Sequence, residues 1–160
     1  NPVLFIEHKT LYTTEGEVPE AEELIPLGRA DVKRPGRDVT VVAHSQQVLQ
    51  ALAAAETLAA KHGVDCEVID LMTVNPLDEQ AILASVRKTG RLVTVEEGYR
   101  NHGVGAEVVS RVAAKAFDAL DAEPVRVAFP DCPVPFAKPL ERALLPDAAK
   151  IVEAVLKIAG

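Results

Sequence analysis

Four short apolar runs, rich in β-branched residues and each followed by a helical pattern, constrain this chain more than anything else in it. They are DVTVVAH from Asp38, CEVIDL from Cys66, RLVTVEE from Arg91 and PVRVAFP from Pro124. The stretches SQQVLQALAAAETLAAKHG, LDEQAILASVRKTG and GVGAEVVSRVAAKAFDAL separate them, and LPDAAKIVEAVLKIAG closes the sequence. Strands of near-continuous Val, Leu and Ile are buried on both faces, as parallel strands are. Their alternation with helices predicts an α/β domain with a mainly parallel sheet covered on both sides. Right-handed crossovers then fix most of the geometry.

Local signals refine this frame. In the first helix Val48, Leu49, Leu52, Ala53, Leu58 and Ala59 share a broad apolar side, with Ser45 as N-cap and Gly63 as the stop. Asp78 and Glu79 sit near the positive end of the second helix, Arg87 and Lys88 near its negative end. Upstream, IPLGRADVKRPG reads as a short edge strand, because Pro26 has no N–H to give a ladder. Residues 13–24, TTEGEVPEAEEL, read as a linker. The opening NPVLFIEHKTLY is strand-like and has no initiator Met, which leads us to expect that it continues an upstream unit.

A chain of 160 residues suits one domain of ordinary size. The formal charge of -7 argues against a nucleic-acid or anionic-membrane partner. No run approaches transmembrane length. Cys66 and Cys132 show neither CxxC nor zinc spacing, so both read as buried, reduced thiols in an intracellular, cytoplasmic setting.

In a parallel sheet the strand carboxyl ends form the rim where ligands bind. Here they collect residues 44–45, 73–76, 96–100 and 130–133. The stretch LVTVEEGYRNHGVGAEVV concentrates the candidates. Its glycines, Gly98, Gly103 and Gly105, match neither the dinucleotide nor the P-loop fingerprint. The amides before Gly105 offer an anion seat; equally, the glycines permit tight turns and close packing. Glu96 and Glu97 are neighbours on a strand and so point apart. They do not make a facing pair, and one of them can meet a helix amide or a neighbouring chain. His102, beside Arg100 and Asn101, has no carboxylate placed to orient it as a general acid. Ser45 lacks the glycines of a nucleophile elbow, and His44 reads as a core or rim histidine. Cys132 has no activating partner, and His8 and His62 show no metal pattern. From the residues alone there is no catalytic, cofactor-binding or metal-binding set.

The motifs in order resemble one family. They are NPVLFIEHKTLY, IPLGRADVKRPGRDVTVVAHSQQV, CEVIDLMTVNPLD, VRKTGRLVTVEEGYRNHGVGAEVVSRV and PVRVAFPDCPVPFAKPLERALLPDAAKIVEAV. Together they resemble the C-terminal half of the beta subunit of thiamine-diphosphate-dependent 2-oxo acid dehydrogenases, the E1 component of pyruvate or branched-chain type. The resemblance implies a three-layer α/β sandwich with a mainly parallel, five-stranded mixed sheet, like the C-terminal domain of transketolase. One edge strand, near residues 27–33, would be antiparallel. It divides the chain into 1–24, the tail of an upstream pyrimidine-binding domain plus linker, and 25–160, the transketolase C-terminal-like domain. The implied reaction is oxidative decarboxylation of a 2-oxo acid with acyl transfer to E2 lipoamide. The ligands of thiamine diphosphate and Mg²⁺ would lie outside this segment, leaving the segment inactive alone.

The implied partners are an E1 alpha subunit, separate or fused, a second beta subunit and the E2 subunit-binding domain. For the last, LDAEP places Asp121 where relatives carry a docking aspartate, although the extra Glu123 departs from their pattern. The carboxylate of Gly160 matches a docking C-terminus. The alternatives are an acetoin dehydrogenase or another transketolase-like subunit, or a stand-alone interaction module.

Overall fold

A computed structural model describes residues 2–18, 20–21 and 24–160. The linker reading for 13–24 falls partly on residues 19, 22 and 23, which lie outside the described residues, as does residue 1. In chain order the strands are β1 (Asp31–Arg34), β2 (Val39–Ala43), β3 (Cys66–Asp70), β4 (Leu92–Tyr99) and β5 (Val125–Phe129). The helices are α1 (Gln47–His62), α2 (Glu79–Thr89), α3 (Val104–Lys115), α4 (Lys138–Leu144) and α5 (Ala148–Ala159). The sheet order is β1-β3-β2-β4-β5. Strands β2 to β5 run parallel, and β1 pairs antiparallel with β3 at the edge.

Side-chain alternation along β2 sorts the core into two layers, since successive strand residues face opposite ways. Val39, Val41 and Ala43 pack with Ala51, Ala54 and Leu58 of α1 and with Ile151 and Val155 of α5. Val42 packs on the other face with Ile82 and Val86 of α2 and Val108 and Val112 of α3. Thr40 faces α2 as well; its hydroxyl meets Ser85 Oγ at 2.6 Å and Thr89 Oγ1 at 2.7 Å, so this buried polar group is satisfied. Two helices on each face make the three-layer sandwich that the strand–helix rhythm predicts.

Several local expectations need correction. Ser45 does not cap α1: its backbone is left-handed (φ 55), and Gln46 is the N-cap. The carbonyls of His44 and Ser45 take the N–H groups of Gln47 and Val48 instead. The buried stripe of α1 runs through Gln47, Val48, Ala51, Ala54, Ala55 and Leu58, while Leu49, Ala53 and Ala59 are exposed. The edge strand starts at Asp31, later than residues 27–33 implied, because Leu27 and Gly28 form a turn. The described part of the opening run forms no strand, and it enters a 3-10 turn at Lys9–Thr13. Cys132 is half-buried, whereas Cys66 is fully buried and burial pushes its thiol up to about 12. Helix α4 was not expected; Pro139 in its first turn starts it.

Asp78 shows how short signals position the edge. One carboxylate oxygen accepts Ala81 N–H and caps α2, and the other accepts Ala30 N–H just before β1. Glu67 does similar work at the opposite end of β3. It is 5% exposed and takes Lys88 Nζ and the Gly36 N–H. Burial pushes its carboxyl up, but hydrogen bonds from Lys88, Ser85 and Gly36 outweigh that and hold it below the usual 4.5. Stability from a depressed carboxyl is present above its unfolded-state value and lost as pH falls through the folded one. Removing Lys88 takes away the largest influence that lowers it and leaves only Ser85 and Gly36 to oppose burial. K88M is therefore expected to lose about 2 kcal/mol at neutral pH. Below pH 4.5 the gap to wild type should narrow. Urea unfolding of both proteins between pH 3 and 7 checks this; a gap independent of pH would contradict it.

Candidate functional site

The strand order places a topological switch point between β2 and β4, where the crossovers diverge. The loops after these strands carry His44, Ser45 and His102, and Glu96 and Glu97 lie near the end of β4 itself. Near its end β4 is irregular: it advances from Val95 to Tyr99 while β5 advances only from Val127 to Phe129. The extra residues include Glu96 and Glu97.

Glu96 is 3% exposed and turns onto the start of α3. Its Oε2 accepts Val104 N–H and its Oε1 accepts Gly105 N–H, both at 2.8 Å. Two of the orphan amides of a helix start are thus satisfied by a carboxylate from the preceding strand, where the helix dipole favours negative charge. The expected anion seat exists, and the chain fills it itself. Close approach explains the glycines. A Cβ on Gly103 would stand 2.4 Å from Glu96 Oε1, and one on Gly105 would stand 2.5 Å from Thr94 Oγ1.

Glu97 goes elsewhere, to His8 Nε2 at 2.9 Å. The two glutamates thus part, and Glu96 meets helix amides as one of them was expected to. His102 is exposed in left-handed backbone (φ 60). Its loop is pinned to the end of β5: Arg100 N–H donates to Phe129 O at 2.8 Å, and Asn101 N–H to Asp131 Oδ1 at 3.1 Å. Tyr99 and Phe129 meet edge to face. No nucleophile–base pair arises from these contacts. Among the described residues no group of three His, Cys, Asp or Glu side chains is placed to hold a metal ion.

The other candidates lie at the opposite rim. Asp121 precedes β5, and its N–H donates to Gly90 O at 2.8 Å. Gly160 ends α5, and Lys157 Nζ reaches Glu123 Oε1 at 3.3 Å. This contact brings the end of α5 beside the LDAEP loop, so Asp121 and Gly160 share the amino rim of the sheet. Both are exposed.

A family model described as "Transketolase, C-terminal domain" matches residues 28–151. The chain belongs to the transketolase C-terminal domain family. This transketolase C-terminal domain is 49% identical over 99% of its length to the pyruvate dehydrogenase E1 component subunit beta of Rickettsia felis, of which it covers 48%. It is 45% identical over 98% of its length to the acetoin:2,6-dichlorophenolindophenol oxidoreductase subunit beta of Cupriavidus necator, covering 46% of it. A solved structure described as a split-gene transketolase, inactive beta4 tetramer, matches 90% of this chain with TM-score 0.75 and 30% identity, and the match spans 45% of that chain. The chain therefore spans about half the length of these relatives.

The start of α3, the anion seat on the carboxyl rim, has its Val104 and Gly105 amides taken by Glu96 and so does not offer them to a diphosphate. Among the described residues no helix is long and apolar enough to cross a membrane.

Proposed function

We propose that this domain is the C-terminal part of an E1 beta subunit. With an alpha subunit and a second beta subunit, that protein oxidatively decarboxylates a 2-oxo acid, pyruvate or branched-chain, and passes the acyl group to E2 lipoamide. The observation that carries this reading is 49% identity to an E1 beta subunit across 99% of the chain. Thiamine diphosphate, held with Mg²⁺ outside this chain, supplies the carbanion chemistry. Residues 1–24 belong to the tail and linker of the upstream pyrimidine-binding domain. Residues 25–160 serve assembly and docking. Large exposed apolar side chains within this part support an assembly role: Leu27 is 66% exposed, Phe117 74%, and Phe136 fully so. Two free cysteines suit a reducing compartment such as the cytoplasm.

Asp121, with Gly160 on the same rim, is the proposed anchor for a basic residue of the E2 subunit-binding domain. A charge-assisted pair desolvated in an interface is a strong anchor. In the assembled protein D121A is expected to weaken binding of that domain at least about tenfold, with circular dichroism and melting unchanged. Titration calorimetry reads this, and an unaltered dissociation constant sinks the docking role. The similarity to the Cupriavidus necator subunit supports a second reading, an acetoin dehydrogenase subunit.

A further inference from the structure

The irregularity near the end of β4 sets two glutamates side by side, and they bind two different segments. Glu96 holds the start of α3. Glu97 Oε2 meets His8 Nε2, from the far end of the chain, at 2.9 Å. The two side chains are 30% and 31% exposed, so water screens this contact less than it screens a fully exposed pair.

The other imidazole nitrogen is engaged as well. His8 is the N-cap of the 3-10 turn Lys9–Thr13. Its Nδ1 accepts the Thr10 N–H at 3.3 Å and lies 2.7 Å from Thr10 Oγ1. A backbone N–H only donates, so Nδ1 presents a lone pair. In a neutral ring the proton then sits on Nε2, which donates it to Glu97. Further bonds close the turn on itself. Leu11 N–H donates to His8 O and Thr14 N–H to Leu11 O, both at 3.0 Å, and Tyr12 OH donates to Glu7 Oε2 at 2.5 Å.

We propose that Glu97 is a positioning residue for the opening segment. By accepting from Nε2–H it selects the His8 tautomer whose Nδ1 caps the turn, and so latches residues 7–14 to the carboxyl rim. The latch sets a direction. Leu4, Phe5 and Ile6, just ahead of it, are exposed, and His8 makes this apolar run leave the domain beside the end of β4. The start of α3 and the opening segment thus take their places from the same two adjacent carboxylates.

The test is amide exchange at Thr10 in the full protein that carries this chain. E97A is expected to speed that exchange about fivefold, although Glu97 does not touch Thr10. E97Q keeps an acceptor for Nε2–H and should restore most of the protection. H8N retains a side-chain oxygen that caps the turn but is too short to reach Glu97. Its exchange at Thr10 should stay within about twofold of wild type and no longer respond to E97A. An E97A protein with wild-type exchange at Thr10, or an E97A effect of equal size in the H8N background, overturns the proposal. So does E97Q exchanging as fast as E97A, because charge rather than tautomer would then hold the ring.

Discussion

Replacing Glu96 by alanine is expected to cost the fold about 3 kcal/mol. The side chain accepts from two amides at the start of α3 within a largely buried site. Truncation leaves both donors facing a space shaped for a carboxylate, and it removes negative charge from the positive end of the helix dipole. E96Q should recover only part of the loss. One amide oxygen can still accept, but the NH₂ group then confronts the second backbone N–H. Urea unfolding of the two variants, with amide exchange at Val104 and Gly105, separates this account from a simple cavity. If E96Q were as stable as wild type, the paired-amide explanation would fail.

A methyl group at Gly36 is expected to be at least as damaging, at about 3 kcal/mol or more. The added Cβ would lie 2.3 Å from both Cys66 C and Glu67 N, atoms of the β3 backbone that no rotamer change can move. Gly36 is not in the left-handed region; the requirement is one of approach. The same residue gives its N–H to Glu67, so pushing the segment away also loosens the buried carboxylate that binds Lys88. Thermal melting of G36A is expected to fall by about 10 °C or more for a domain of this size. A shift of only a degree or two would show that the close approach is not maintained in solution.

The layered fold was legible because its signal is redundant. Each of the four strand runs is apolar on both faces, and each intervening stretch carries a helical period. Gly63 and Gly90 both end helices in left-handed backbone, as a C-terminal glycine signals. What misled was local competition. Ser45 has the chemistry of an N-cap, but the chain spends it in a turn whose carbonyls start α1. Alanine-rich α1 left several possible apolar faces, and small side chains gave little contrast to choose between Leu49 and Ala51. Glu96 was legible as to options and not as to outcome. Its partners are eight and nine residues downstream, across a bulge whose geometry no periodic pattern encodes. Even so, the pattern T-x-E with glycines at 103 and 105 fits the result, because each glycine makes room for Glu96 or Thr94. Asp121 and Gly160 illustrate the opposite case. Nothing periodic marks them, and only the contact between Lys157 and Glu123 shows that their segments meet at one rim.

We propose that the protein carrying this domain works as an E1 beta subunit while the domain itself holds no catalytic centre. The most direct measurement is a reductive-acylation assay on the full protein with its alpha partner and a lipoyl domain, supplied in turn with pyruvate, a branched-chain 2-oxo acid and acetoin. Turnover of one of the two 2-oxo acid classes, dependent on added thiamine diphosphate and Mg²⁺, is expected, with none from residues 1–160 alone. Turnover of acetoin only, or activity from residues 1–160 by themselves, would contradict it.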